Sequence, residues 1–152
     1  MLDDVFKEVY DKFKINFYRS IYSGFAERES SLTATETFCL EVIYALDNPT
    51  VNELANFLKI SQPNMTYKIN NLVKKGYVIK KQSEEDKREV RLETTEKFAH
   101  YLDIKNEYVR TVLNRTKERF SQEELDKFEE MLKIISLELM PEITDGMKRF
   151  RS

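Results

Sequence analysis

Seven hydrogen-bonding side chains crowd one stretch of the chain: Gln62, Asn64, Thr66, Tyr67, Lys68, Asn70 and Asn71. Between them run Met65, Ile69, Leu72 and Val73, an apolar stripe at i, i+4, i+7 and i+8, so the stretch reads as a helix with one buried face. A face that is merely solvated usually carries Glu and Lys. This one is rich in amides and hydroxyls and has no acid. Side chains of that kind can pair with base edges and phosphates in the major groove of a duplex, and the absence of carboxylates lets a polyanion approach.

The charge distribution agrees. From Lys59 to Arg91 there are nine Lys or Arg and four acids, a local balance of +5 in a chain of net charge −2, which leaves −7 on the remainder. A basic island in an acidic chain marks a local site for a polyanion, although a cluster on a helical protein can also be a solvated face. The chemistry of an enzyme is harder to find. No Ser/His/Asp or Cys/His arrangement can be placed. Glu84-Glu85-Asp86 forms a carboxylate cluster without the burial that tunes a general acid. One Cys and one His, at Cys39 and His100, exclude a disulfide framework and a Cys/His zinc site within one chain. Three Gly leave no glycine loop to cradle a phosphate. No cofactor and no metal are expected.

The 152 residues are enough for one domain with a real core. With 41% hydrophobic and 34% charged residues, the composition is neither disordered nor membrane-like, and no apolar run approaches the about 18 residues that span a bilayer. The acidic, amphipathic start Met-Leu-Asp-Asp does not read as a signal peptide. A soluble cytoplasmic protein is expected.

The elements that must position the polar face are mostly helical. From Leu2 to Phe25, apolar residues recur every fourth position at Val5, Val9, Phe13, Phe17, Ile21 and Phe25. A second stripe runs through Leu2, Phe6, Tyr10, Tyr18 and Tyr22, which predicts a helix buried on two sides. Ala26–Ser31 ends it. Thr33 with Glu36 makes a capping box for a helix to about Leu46, with Cys39, Leu40, Ile43 and Leu46 inward. After the turn Asp47-Asn48-Pro49, Thr50 and Glu53 repeat the box for Val51–Leu58. Ser61 caps the polar helix, Pro63 sits in its first turn, and Gly76 stops it. The period then changes. Residues 77–81 and 90–92 predict a hairpin with a polar tip, 82–89. Thr94 or Thr95 caps a helix to about Phe120. Ser121 and Glu124 open a last one with Leu125, Phe128, Leu132, Ile135 and Leu139 as a seam, and Pro141 ends it near Met140. Ile143, Met147 and Phe150 continue the apolar face.

Helix, short helix, tight link, helix and charged hairpin make a helix-turn-helix followed by a wing. Its motifs are Thr50-Val51-Asn52-Glu53-Leu54-Ala55, Ser61-Gln62-Pro63-Asn64-Met65-Thr66, Leu72-Val73-Lys74-Lys75-Gly76-Tyr77-Val78 and Asp86-Lys87-Arg88, with Val90 and Thr95-Glu96-Lys97 following. In these the chain resembles the MarR family of winged-helix transcriptional regulators over essentially its whole length. The resemblance implies a mostly α fold with a small β-hairpin wing. A DNA-binding lobe would span residues 32–98, with helical dimerisation regions at 1–30 and 99–152. Two positions depart from the family pattern: Thr94 stands where Leu is usual and Phe98 where Gly is usual, so the start of the fifth helix should be rearranged.

Carried over residue by residue, the resemblance places Ser61, Gln62, Pro63, Asn64, Thr66 and Lys68 at the groove-facing start of the recognition helix. Asn64 and Gln62 are the candidates for base edges. Ser61, Thr66, Tyr67 and Lys68 suit phosphates, and Asn71 lies on the same face. Arg88, beside Lys87, is the minor-groove candidate, with Asp86 orienting it. Lys74, Lys75, Lys80 and Lys81 read equally as backbone contacts or as ordinary surface lysines.

The resemblance also implies a homodimer on double-stranded DNA, with a pseudo-palindromic operator and half-sites about one turn apart. Leu125–Leu139, Ile143–Phe150 and the aromatic first helix are its expected interface. Release by an anionic or phenolic effector is implied too, and Tyr10, Phe13, Phe17 and Tyr18 are candidates for its pocket. The family's peroxide-sensing cysteine lies near the N-terminus, where this chain has none; Cys39, inward on the second helix, reads as a small hydrophobe. The alternative is a helical dimer that binds a protein partner and no DNA, which the acidic net charge and acidic wing tip would suit.

Overall fold

The computed structural model describes residues 1–24 and 32–147. The expected helix stop at Ala26–Ser31, the apolar Phe25 and Phe150, and the side chains of Ile21 and Tyr22 lie outside the described residues. The elements run α1 (Leu2–Gly24), α2 (Ala34–Leu46), α3 (Val51–Leu58), α4 (Gln62–Lys74), β1 (Val78–Gln82), β2 (Val90–Thr94), α5 (Glu96–Arg119), α6 (Gln122–Glu138) and α7 (Pro141–Thr144).

Capping chemistry sets the helix starts. The Thr33 hydroxyl accepts the Glu36 N–H at 3.2 Å, and the Glu36 carboxylate accepts the Thr33 N–H in return. Thr50 and Glu53 repeat this for α3, and Ser121 and Glu124 for α6. Each box satisfies amides that the first turn leaves without partners. Ser61 caps α4 without a box, its Oγ accepting the Asn64 N–H. Past the other end of α4, Gly76 sits at φ 81, where a side chain would be strained. That turn lets the Gly76 N–H reach the Val73 carbonyl and the Tyr77 N–H reach the Leu72 carbonyl, each at 3.0 Å, closing the helix.

β1 and β2 pair antiparallel from Val78↔Thr94 to Gln82↔Val90. The first strand starts one residue later than expected, because Tyr77 is drawn into the core, and the second extends two residues further, to Thr94. Thr50 adds a bridge to Arg91, and the Leu92 N–H donates to the Pro49 carbonyl at 2.8 Å, so the α2–α3 turn borders the wing as a short third strand.

The core forms where α2, α3, α4 and the hairpin meet. Leu40, Leu54, Met65, Ile69, Leu72, Leu92 and Phe98 are fully buried there. Val73 is not: it is exposed, which narrows the expected apolar stripe of α4 to Met65, Ile69 and Leu72. Thr95 holds the N-cap position without capping; its hydroxyl donates to the Gly76 carbonyl at 2.7 Å and ties α5 to the end of α4. Phe98 fills the space beneath, stacked on Tyr101 with centroids 5.4 Å apart and tilted against Tyr44 at 5.7 Å.

Outside this lobe the packing thins. α1 lies against α5, with Phe13 edge-on to Tyr108 at 5.8 Å. The expected burial of α1 on two sides is not met among the described residues: α5 lies against it, and Leu2, Val5, Phe6, Val9 and Tyr10 are exposed. No residue of α6 is buried. Met147 departs from its expected place on an outward apolar face. It is buried with the lobe core, and the neighbouring Gly146 packs on the Phe57 ring so closely that a Cβ would lie 2.9 Å from it.

Candidate nucleic-acid interface

α3 braces α4 from behind through Leu54 and Ala55, both buried. The link between them is short because Lys59 adopts the left-handed conformation, φ 56, and lets the Ile60 N–H bond the Ala55 carbonyl at 3.1 Å. α4 therefore presents its polar face outward. Gln62, Pro63 and Asn64 are exposed at its first turn, and Tyr67 is 68% exposed one turn on. Thr66 and Lys68 are half-buried, as is Asn71. The Thr66 hydroxyl donates to the Gln62 carbonyl at 2.9 Å, so it is engaged with its own helix.

The wing stands beside this face. Its tip is folded on itself: the Ser83 N–H donates to the Glu89 carbonyl, and the Glu89 N–H to the Asp86 carbonyl. One Asp86 oxygen accepts the Arg88 N–H at 3.0 Å and lies 3.8 Å from the Arg88 Nε. The Arg88 side chain is 95% exposed, and Lys87 is exposed next to it.

Three of the four lysines read as backbone contacts or surface charges have partners inside the protein. Lys75 pairs with Glu36 at 2.9 Å, Lys81 with Glu93 at 2.9 Å, and Lys80 donates to the Asn70 carbonyl oxygen at 2.7 Å. Lys74 is exposed at the end of α4. Arg91, counted in the basic island, turns the same way: it reaches Asn48, Glu53 and Glu89. Its position one residue before the buried Leu92 was the only hint, since alternation alone does not say which acids a strand's outward side meets.

Glu36 is 6% exposed. Burial pushes its carboxyl up, but the bonds from Lys75 and Thr33 outweigh burial and hold it below the usual carboxylate range. Its second oxygen is buried without a hydrogen-bond partner among the described residues. Burial also raises the Cys39 thiol, with Lys68 opposing and Glu36 adding, so little thiolate forms there at neutral pH.

The largest apolar groove described lies elsewhere, between α1, the end of α5 and the start of α6. It encloses about 710 Å³ and is lined by Val5, Val9, Phe13, Leu113, Phe120, Leu125, Phe128 and Met131, among others. Of the expected pocket residues, Phe13 lines it. Tyr10, Phe17 and Tyr18 do not: Lys14 lies over the Tyr10 ring at 4.8 Å, and Phe17 sits against Tyr18 and under Lys105.

The MarR family model matches residues 32–90, the segment that builds the helix-turn-helix and wing. Over this segment, 59 of the 152 residues, the chain is similar to the MarR family. The chain is also similar to the uncharacterized HTH-type transcriptional regulator YkoM of Bacillus subtilis (strain 168), 30% identical over 76 residues. That match covers 50% of this chain and 49% of YkoM, so it spans about half the length of the curated relative. Streptococcus pneumoniae FabT, solved in complex with DNA, shares the fold at TM-score 0.61 and 19% identity, over 91% of this chain and 97% of FabT. S. aureus MepR, solved bound to ethidium bromide, shares it at TM-score 0.60 and 16% identity, over 92% of this chain and 97% of MepR. The mostly helical winged-helix fold is thus that of MarR proteins along nearly the whole chain.

Proposed function

We propose that the protein is a sequence-specific double-stranded DNA-binding transcriptional regulator, a cytoplasmic homodimer that represses from a pseudo-palindromic operator. The observation that carries this is the outward face of α4: Gln62, Asn64 and Tyr67 exposed together, with no acid among them, beside a wing that holds out Arg88. FabT has this fold and is solved with DNA. Asn64 and Gln62 pair with base edges, where an amide matches adenine. Ser61, Pro63, Thr66, Tyr67, Lys68 and Asn71 set the register on the backbone, and Lys87 and Arg88 follow the adjoining minor groove with Asp86 orienting Arg88.

The second copy follows from area. The groove and the exposed apolar residues of α1 and α6 form a continuous surface that a monomer leaves in water. A two-fold partner covers it and doubles the site read. A small anionic or phenolic effector lodged at the helices would release DNA if it bound one spacing of the two lobes better than the other. MepR, with the same fold, is solved with an aromatic cation bound.

Selection of the purified protein on randomised duplex DNA at two salt concentrations tests this. Enrichment of a pseudo-palindrome with half-sites about 10 base pairs apart is expected. Weak, sequence-blind binding that salt abolishes removes the base-contact assignments. No binding at either salt removes the regulator reading and leaves a protein-binding dimer.

A further inference from the structure

We propose that Arg91 is the positioning residue of the wing, locking β2 to the α2–α3 turn and to the start of α3 so that Arg88 meets the duplex in one place. This role rests on the DNA-binding reading above. A two-stranded ribbon is marginal alone, and this one carries a long charged tip. The Leu92 N–H bond to the Pro49 carbonyl and the buried Leu92 anchor its base, and one guanidinium ties that base to the tip. Arg91 Nη1 donates to the Asn48 carbonyl at 3.1 Å and lies 3.7 Å from the Glu53 carboxylate; Nη2 donates to Glu89 at 3.1 Å. These three partners belong to three different parts: the interhelical turn, the first helix of the helix-turn-helix, and the wing tip.

Two further observations converge on the same point. Glu53 Oε2, which faces Arg91, is also the oxygen that accepts the Thr50 N–H in the α3 capping box. And the turn that Arg91 grips holds two successive non-glycine residues in the left-handed region, Asp47 at φ 57 and Asn48 at φ 59, a conformation that persists where surrounding contacts fix it. Arg88 lies three residues before Arg91, in the tip ahead of β2, where Asp86 accepts its N–H. A planar fork reaches three acceptors at once; a lysine offers one point charge and does not.

Arg91 could instead contact phosphate, and a mutant cycle with Arg88 separates the two roles. Operator affinity is measured for Arg88→Ala in the native and Arg91→Met backgrounds, with Arg91→Lys beside them. Amide hydrogen exchange is followed in the free protein. Arg88→Ala is expected to weaken binding roughly tenfold in the native background. In the Arg91→Met background its effect falls below about twofold, because the wing is no longer placed. Arg91→Lys should behave like Arg91→Met. In the free protein, the Glu89 and Leu92 amides exchange faster in Arg91→Met while those of Ile69 and Leu72 in α4 do not. Equal costs of Arg88→Ala in both backgrounds, or unchanged exchange at Glu89 and Leu92, overturn the role. If Arg91→Met loosens α4 as well, Glu89→Gln, which removes one exposed arm, takes its place: coupling with Arg88→Ala supports the role and additivity overturns it. Absence of any native complex sinks the DNA-binding reading and the positioning role with it, whereas the exchange measurement still reports whether the clamp exists.

Discussion

The lobe and the terminal helices use the same local grammar and reach opposite ends. Both start helices with complete capping boxes, Thr33/Glu36 and Thr50/Glu53 in one, Ser121/Glu124 in the other. Yet among the described residues every buried apolar side chain except Met147 falls between Cys39 and Tyr101. α6 buries none; Phe128, Met131, Leu132, Ile134 and Leu137 stand 42–48% exposed along it. The lobe closes on itself because four elements surround one cluster. Along α6 the seam stays uncovered by the described residues. Capping decides where a helix starts, and only the count of neighbours decides whether it is finished. The lobe is therefore closed within the protomer, and α6 is left open.

The largest expected effect breaks the lobe from within. Phe98→Ala removes a fully buried ring that meets both Tyr44 and Tyr101, and should cost about 3–5 kcal/mol. Urea unfolding should show this loss at every protein concentration. A loss that vanished on dilution would place Phe98 in the association of two chains and blur the distinction between the regions.

Leu132→Glu is the counterpart on the other side. In the protomer Leu132 is 42% exposed, so a carboxylate there should leave the lobe's urea midpoint unchanged. In a dimer it would be desolvated without a partner, at a cost of roughly 3 kcal/mol. Sedimentation equilibrium should find a monomer where the native chain is a dimer, and operator affinity should fall with it. A native chain that sediments as a monomer would sink the homodimer.

A smaller effect concerns what ties the lobe together across the core. Glu36→Gln removes the charge that Lys75 meets at 2.9 Å and should cost about 2 kcal/mol at neutral pH. Its pH dependence has a definite sign. The folded carboxyl lies below its ordinary 4.5, so its contribution is present above that value and is lost as pH falls through the folded pKa. The native acid limb should therefore be steeper below about pH 4.5 than that of Glu36→Gln. Parallel limbs would show that Lys75 does not hold Glu36.

Where local chemistry decides, the sequence was legible. Thr33, Thr50, Ser61 and Ser121 cap where the pattern of Ser or Thr before an apolar run put them, and Gly76 ends α4 by its φ alone. The winged-helix order followed from those signals. What was not legible is partner choice across the fold. Lys75, Lys80 and Lys81 share a basic run, but which acid or amide each meets depends on where α2, α4 and β2 come to lie. Arg91 adds charge to the sequence count and takes it away in three dimensions. The apolar groove escaped for the same reason. Its walls come from α1, α5 and α6, and of Tyr10, Phe13, Phe17 and Tyr18 on the aromatic-rich α1 it is lined by Phe13. Met147 lay past a proline, and no periodicity could announce that the chain returns to Phe57.

The finest test sets two like residues against each other. Ser61 and Ser121 both cap helices through Oγ, one at the polar face of α4 and one at the start of the uncovered α6. Ser61→Ala and Ser121→Ala should each cost about 1 kcal/mol of stability, with Ser121→Ala the larger because its capping box is complete. At a temperature where both variants are fully folded, only Ser61→Ala should weaken operator binding, by roughly fivefold, the worth of one hydrogen bond. The reason is geometric. A hydroxyl whose lone pair accepts an N–H still has a proton to donate, and Ser61 is exposed beside the exposed Gln62 and Asn64. Equal affinities for the two variants would leave Ser61 a cap and nothing more, and would move the edge of the interface from the helix start to Asn64.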